Sequence, residues 1–164
     1  MDIHIFFLLL LSLFQQAPSF SSSAISDHHI LEQGSSLSVE KQNDVLVSPN
    51  GVFSAGFSSV GDNAFCFAIR FMKSSVPTIV WMANRDQPVN GKASKLSLLR
   101  NGNLILLDAG RIPLWSSETT SPISVYLQLR DNGNLVLHNI KNESLWESFN
   151  SSIDTVRVCD PNSC

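Results

Sequence analysis

Leu96-Ser-Leu-Leu-Arg-Asn-Gly-Asn-Leu-Ile-Leu-Leu-Asp108 and Leu127-Gln-Leu-Arg-Asp-Asn-Gly-Asn-Leu-Val-Leu-His-Asn139 are two copies of one pattern, 31 residues apart. The first runs on to Leu114-Trp115 and the second to Leu145-Trp146. A repeat of this length is one supersecondary unit that cannot bury its apolar face alone, so the copies must pack on one another. Within each copy an apolar run ends at arginine or just beyond, Asn-Gly turns the chain, and a second apolar run returns. Asn101-Gly102 and Asn132-Gly133 therefore read as hairpin turns, with both residues at positive φ. A further strand carries each tryptophan, which makes about four short strands per unit by the spacing of turn signals.

An eroded third copy lies upstream. Asn50-Gly51-Val52-Phe53 can be laid over Asn101-Gly102-Asn103-Leu104, and Ile79-Val80-Trp81 over Pro113-Leu114-Trp115. The Asn-to-Trp spacing is 31 in this copy and 14 in the other two, the excess falling in a Ser58–Asn63 loop and longer strands. In Ala64–Phe71, the residues Phe65, Phe67, Ile69 and Phe71 alternate with period two, as a half-buried strand does. Three units, each ending in tryptophan, predict an all-β fold of three four-stranded antiparallel sheets about a pseudo-threefold axis. Trp81, Trp115 and Trp146 would meet at its centre, each burying about 150–250 Å².

The chain has 164 residues, 43% hydrophobic and 15% charged, enough apolar surface for one cored domain. A net charge of −3 without a basic cluster argues against nucleic acid and anionic membranes as partners. Ile3–Phe14 is an apolar run too short to span a bilayer but suited to a secretory signal, with small residues from Ser19 to Ala24 before a cleavage point. Residues 1–24 are thus expected to be a signal peptide, the alternative being a buried strand or helix opening the domain. The expected location is extracellular (the apoplast), with no membrane span in the mature chain. The three cysteines are Cys66, Cys159 and Cys164. Cys66 falls in an aromatic strand and reads as a core thiol, whereas Cys159 and Cys164 could close a small loop around Pro161. No spacing suits a metal, and no Ser/His/Asp or Cys/His arrangement points to an enzyme. No cofactor is implied. Asn142-Glu-Ser144 and Asn150-Ser-Ser152 are glycosylation acceptor patterns, meaningful in a secreted chain.

These three Trp-ended units, with Gly133-Asn-Leu-Val-Leu137 in the last, resemble the bulb-type mannose-binding lectins. Ile79-Val-Trp-Met-Ala-Asn-Arg-Asp-Gln-Pro-Val89 and Leu145-Trp-Glu-Ser-Phe149 are similar to the lectin domain of plant S-domain (G-type lectin) receptor-like kinases. The resemblance implies a β-prism II fold, a lectin domain over residues 25–155 and a tail outside the family pattern at 156–164. In the family, Asn84-Arg85-Asp86 belongs to a fixed connector, with Asn84 and Asp86 capping turns before Pro88. The chain shows neither the glycine-rich loop nor the His-Arg-Asp loop of a kinase, so the resemblance implies a form without the catalytic part.

The family's sugar pattern is Gln-x-Asp-x-Asn-x-Val-x-Tyr on a strand, where residues two apart share a face. The middle unit places Leu99, Asn101, Asn103, Ile105 and Leu107 there. The last unit places Arg130, Asn132, Asn134, Val136 and His138, and it keeps more of the hydrogen-bonding set. Val52 takes the Asn position of the first unit. The candidate carbohydrate-binding residues are accordingly Arg130, Asn132, Asn134, Val136 and His138, with Asn101, Asn103 and Ile105 in the middle unit. Asn101 and Asn132 have an alternative role in the turns, and His138 as an edge-strand histidine. The partners implied are a glycan or a cell-surface protein, with dimerisation left open. The competing expectation is a receptor-kinase fragment with no binding of its own, pairing at most with full-length receptors.

Overall fold

The computed structural model describes residues 29–41, 43–76 and 78–151. The expected signal segment 1–24, residues 25–28 of the expected domain, its last residues 152–155, the tail and both Cys159 and Cys164 lie outside them. Among the described residues the structure is built from thirteen strands and one 3-10 turn. Sheet I contains β3 (Leu46–Val47), β4 (Phe53–Gly61), β5 (Ala64–Phe71) and β6 (Thr78–Met82), with β7 (Val89–Asn90) also paired to β5. Sheet II orders β10 (Pro113–Ser116), β9 (Leu104–Leu107), β8 (Lys95–Leu98) and β2 (Ser36–Ser38). Sheet III orders β1 (Ile30–Glu32), β11 (Val125–Leu129), β12 (Leu135–Asn139) and β13 (Ser144–Glu147). All pairings are antiparallel. The all-β, three-sheet expectation holds, with sheet I gaining a fifth short strand.

The four-strand repeat needs correction. Each 31-residue copy supplies three strands of its sheet, and the fourth comes from the N-terminal segment. β1 joins sheet III and β2 joins sheet II, with Gly34 at φ +86° between them. The Gly34 N–H donates to Leu98 O at 2.7 Å and the Leu129 N–H to His29 O at 2.9 Å. This lacing satisfies two sheet edges that the repeats alone would leave open.

The inward faces are leucine-rich. Leu96, Leu98, Leu106, Leu127, Leu129, Leu135 and Leu137 are fully shielded in the main core, with Phe67, Ile69 and Ala55 from sheet I. Period-two alternation puts these side chains on one face of each sheet. Trp81, Trp115 and Trp146 meet edge to face, with centroid separations of 6.2, 5.7 and 5.4 Å. Such contacts contribute about 0.5–1.5 kcal/mol per pair beyond the buried area. One tryptophan from each sheet therefore closes the axis.

The strand registers identify equivalent positions. Trp81 faces Ile69, Trp115 faces Leu106 and Trp146 faces Leu137, and each strand pair carries a bulge beside that point. Ile69, Leu106 and Leu137 are equivalent, so Cys66 stands where Asn103 and Asn134 do. The upstream alignment is thereby corrected. Asn50-Gly51 joins β3 to β4, whereas the hairpin matching the two repeats is β4–β5, turning at Asp62-Asn63. A second correction concerns the turns. Gly102 (φ +88°) and Gly133 (φ +83°) have positive φ, while Asn101 and Asn132 do not. Gly102 N–H donates to Leu99 O and Leu99 N–H to Asn103 O, and the last unit repeats this with Arg130, Gly133 and Asn134. This is a three-residue loop with its one left-handed position at glycine, not a two-residue turn.

Candidate functional site

The predicted residues of the last unit do come together on the outward face of sheet III. Tyr126 pairs with His138 and Gln128 with Val136 across β11–β12, and Val136 faces Glu147 on β13. Arg130 and Asn134 flank the turn between β11 and β12, and the Arg130 N–H donates to Asn134 O. The face thus carries Tyr126, Arg130, Asn134, Val136, His138 and Glu147, with Asn132 exposed at its end.

Its polar groups largely partner one another. Arg130 Nη2 lies 3.1 Å from His138 Nε2. Arginine can only donate, so Nε2 accepts and the neutral imidazole carries its proton on Nδ1. Nδ1 is buried without a hydrogen-bond partner among the described residues. Tyr126 stacks on the imidazole, with a centroid separation of 5.3 Å and an interplanar angle of 24°. Burial holds the His138 pKa below its ordinary value, the Arg130 charge adds to this, and Glu147 opposes it. Glu147 accepts from Ser144 Oγ at 2.7 Å and from Asn134 Nδ2 at 2.9 Å. Those two bonds, in that order, are the main reasons its carboxyl sits below the usual carboxylate range.

Asn134 is 4% exposed, and its carbonyl oxygen accepts from Ser148 Oγ at 3.0 Å and the Phe149 N–H at 3.3 Å. The Ser148 hydroxyl in turn accepts the Leu135 N–H at 3.0 Å. The middle unit repeats this clamp. Asn103 Oδ1 accepts from Ser116 and Ser117, and Ser117 Oγ accepts the Leu104 N–H at 3.0 Å. Ser117 and Ser148 are also 31 residues apart. Sequence reasoning missed both serines, although the repeat offset was available to find them. Asn101 and Asn132 accept the backbone N–H of Asn103 and Asn134, two residues on, as turn asparagines do. Ile105 is half-buried on β9, and Val136 is 0% exposed, covered by its neighbours.

Sheet I has no such polar set. The equivalents of Asn134, Val136 and His138 are Cys66, Ala68 and Arg70, not the Val52 expected at the Asn position. Cys66 and Ala68 form a satellite apolar cluster with Met82, Val60 and Ile79. The Cys66 thiol donates to Asn84 O at 3.6 Å. Asn84 reaches from the connector to accept the Phe67 N–H at 2.9 Å and donates to Phe65 O and Gln87 O. It thus does for sheet I what Ser117 and Ser148 do for the other two, besides closing the turn before Pro88.

Asn142 and Asn150 are both exposed near this face. Asn142 has φ +63° at the tip of the β12–β13 hairpin, and its Oδ1 accepts from the Tyr126 hydroxyl at 3.3 Å. A depression of about 350 Å³, lined by Ser144, Leu145, Trp146, Glu147, Asn150 and Ser151, adjoins the same edge. Among the described residues no cluster of potential metal ligands occurs. No described helix is long and apolar enough to cross a membrane.

Three sheets closing on a tryptophan triad, with asparagine-bearing hairpins on the outward faces, define a lectin-type β-prism domain. Residues 78–158 match the family model described as D-mannose binding lectin, and the chain carries a bulb-type lectin domain of that family. The matched stretch takes in sheets II and III apart from their N-terminal strands. The fold is that of a monocot mannose-binding lectin from Gastrodia elata (TM-score 0.55, 22% identity, 76% of this chain and 99% of that one). In sequence, the chain is 43% identical over 139 residues to the "Putative receptor protein kinase ZmPK1" of Zea mays, covering 80% of this chain and 17% of that protein. It is 37% identical over 116 residues to the receptor-like serine/threonine-protein kinase SD1-8 of Arabidopsis thaliana, covering 70% and 13%. The chain therefore spans less than a fifth of the length of these relatives. The class of domain and fold matched is that of binding proteins, not of enzymes.

Proposed function

We propose that this chain is a secreted recognition module of the receptor-ectodomain kind, taking a carbohydrate of mannose type at the outward face of sheet III. The supporting observation is convergence: Arg130, Asn134, His138, Tyr126 and Glu147 stand together there, whereas sheet I carries Cys66, Ala68 and Arg70 at the positions of Asn134, Val136 and His138. Glu147 and Tyr126 provide an acceptor and a ring at the rim, and Arg130 supplies donors. Paired donors and acceptors are what sugar hydroxyls require, since each desolvated group left unpaired costs about 1–3 kcal/mol. Asn134 serves the face by positioning Glu147 and the 148–149 turn. Val136 is 0% exposed beneath its neighbours, so a sugar ring does not rest directly on it, and binding is accordingly weak.

A second reading, recognition of a protein partner, is favoured by the same closure of Val136 and by the internal pairing of Asn103 and Asn134. Mannose-agarose retention and a glycan array of the purified chain separate the two. Retention lost in Arg130→Ala and Glu147→Ala, both rim substitutions, supports the sugar reading. A folded chain that retains nothing overturns it, and co-precipitation with a full-length receptor ectodomain then tests the second. The proposed secretion predicts a mature N-terminus close to residue 25, read by N-terminal sequencing of exported material. Glycans on Asn142 and Asn150 would each appear as a mass loss on enzymatic deglycosylation. A bond between Cys159 and Cys164 would appear in non-reducing peptide mapping.

A further inference from the structure

A cleft of about 420 Å³ lies between residues 38–41, 44 and 45 and the edge of sheet I, sharing no residue with the sheet III face. Its volume falls in the range of small-molecule sites. Phe57, Phe65, Val39 and Val45 provide apolar walls, and Lys41, Arg70 and Lys92 provide three positive charges against the two of Glu40 and Asp44. Gly56 lets Val45 lie close to β4, because a Cβ there would come within 2.6 Å of Val45 Cγ1. The Asp44 carboxylate is engaged on one oxygen by the Ser38 N–H at 3.0 Å.

Arg70 is the unusual group. It is half-buried, and its one hydrogen bond among the described residues runs from Nη2 to Phe57 O at 2.8 Å. Its Nε is buried without a partner, and no described carboxylate pairs with it. Burial lowers its pKa, the sign of a desolvated charge without compensation. A guanidinium has five N–H donors in a planar fork that matches a carboxylate. A multiply charged anion would meet Glu40 and Asp44 at the rim, which a single carboxylate meets with half the repulsion or less.

We propose that this cleft binds a small organic carboxylate, its anion on Arg70 and its apolar body against Phe57 and Phe65. The site is independent of the carbohydrate reading and stands or falls without it. The test uses the whole chain, ¹⁵N-labelled, titrated with 2-naphthoate and with its uncharged analogue 2-naphthalenemethanol. The naphthoate should shift amide signals of residues 38–41, 44, 45, 57, 59 and 92. It should bind about tenfold more tightly than the alcohol, the worth of roughly one charge-assisted hydrogen bond. Arg70→Met should reduce naphthoate to the level of the alcohol. Lys92→Ala, an exposed rim change that leaves the fold alone, should weaken it by about twofold to threefold, as a screened charge does. Equal binding of acid and alcohol, shifts centred away from the cleft, or no naphthoate binding would each overturn the proposal. Should Arg70→Met lose its dispersed spectrum, the acid-to-alcohol ratio on the unaltered chain decides.

Discussion

Asn134→Ala is the substitution that separates a ligand residue from a structural clamp. Three hydrogen bonds end on this side chain: from Ser148 Oγ (3.0 Å), from the Phe149 N–H (3.3 Å) and from its own Nδ2 to Glu147 (2.9 Å). Ser148 is 1% exposed, so its hydroxyl proton loses its acceptor where water has little access. An unpaired buried group costs about 1–3 kcal/mol, and the Phe149 N–H is the second candidate for that loss. The expected destabilisation is roughly 2–5 kcal/mol, a large share of the 5–15 kcal/mol typical of a domain. Asn103→Ala removes the matching bonds from Ser116 and Ser117, but Asn103 is half-buried and water can replace it. Its cost should be nearer 1 kcal/mol. Urea unfolding followed by tryptophan fluorescence reads both, since the three indoles touch in the folded state. A midpoint for Asn134→Ala within error of the parent, or equal losses at the two positions, would refute the clamp. Asn134 would then be available to a ligand.

Gly133→Ala combines a left-handed backbone with a ring contact, since a Cβ there would lie 2.9 Å from Phe53. It should cost more than Gly34→Ala, which shares the positive φ but meets nothing within 4 Å; strain alone is worth about 1–2 kcal/mol, and a comparison of melting temperatures checks the order. Trp115→Ala opens the axis and should cost about 3–5 kcal/mol, with loss of near-ultraviolet circular dichroism from the remaining two indoles. His138 is held below its ordinary pKa by burial, so the unfolded chain binds its proton first as pH falls. Its contribution is complete above the unfolded value of about 6.5 and is lost as pH drops from there through the folded value. His138→Gln should flatten that part of a Tm–pH curve; an unchanged slope would remove His138 from the account. Glu147→Gln should act lower, weakening the stability present above the ordinary carboxylate range and lost as pH falls through the depressed folded pKa.

Much of the architecture is legible in the primary structure because two of its devices are local. Alternating leucines declare a one-sided strand, and a 31-residue repeat ending in tryptophan declares a unit that must pack on its copies. Ala64–Phe71 matches β5 residue for residue. The eroded unit was harder to place. Asn50-Gly51 imitates the repeat's turn signal, while the true equivalent hairpin has lost its asparagine to Cys66. Only register against Trp81 separates them. The candidate site was half legible. Arg130, Asn134 and His138 follow from laying the family pattern on one stretch of chain, although that stretch turns between β11 and β12. Glu147 and Tyr126, by contrast, come from β13 and β11.

Taken alone, the chain's residues determined the fold class, the number of sheets and the meeting of Trp81, Trp115 and Trp146. Each of these depends on patterns that are local in sequence, apolar alternation within a unit and the recurrence of that unit with its tryptophan. Tertiary structure alone decided that β1 completes sheet III and β2 sheet II, that Ser117, Ser148 and Asn84 tie down equivalent backbone N–H groups, and that Val136 and His138 are covered. Those outcomes turn on which strands become neighbours across long sequence separations. Burial and hydrogen-bond partners are properties of that juxtaposition, and no local pattern encodes them.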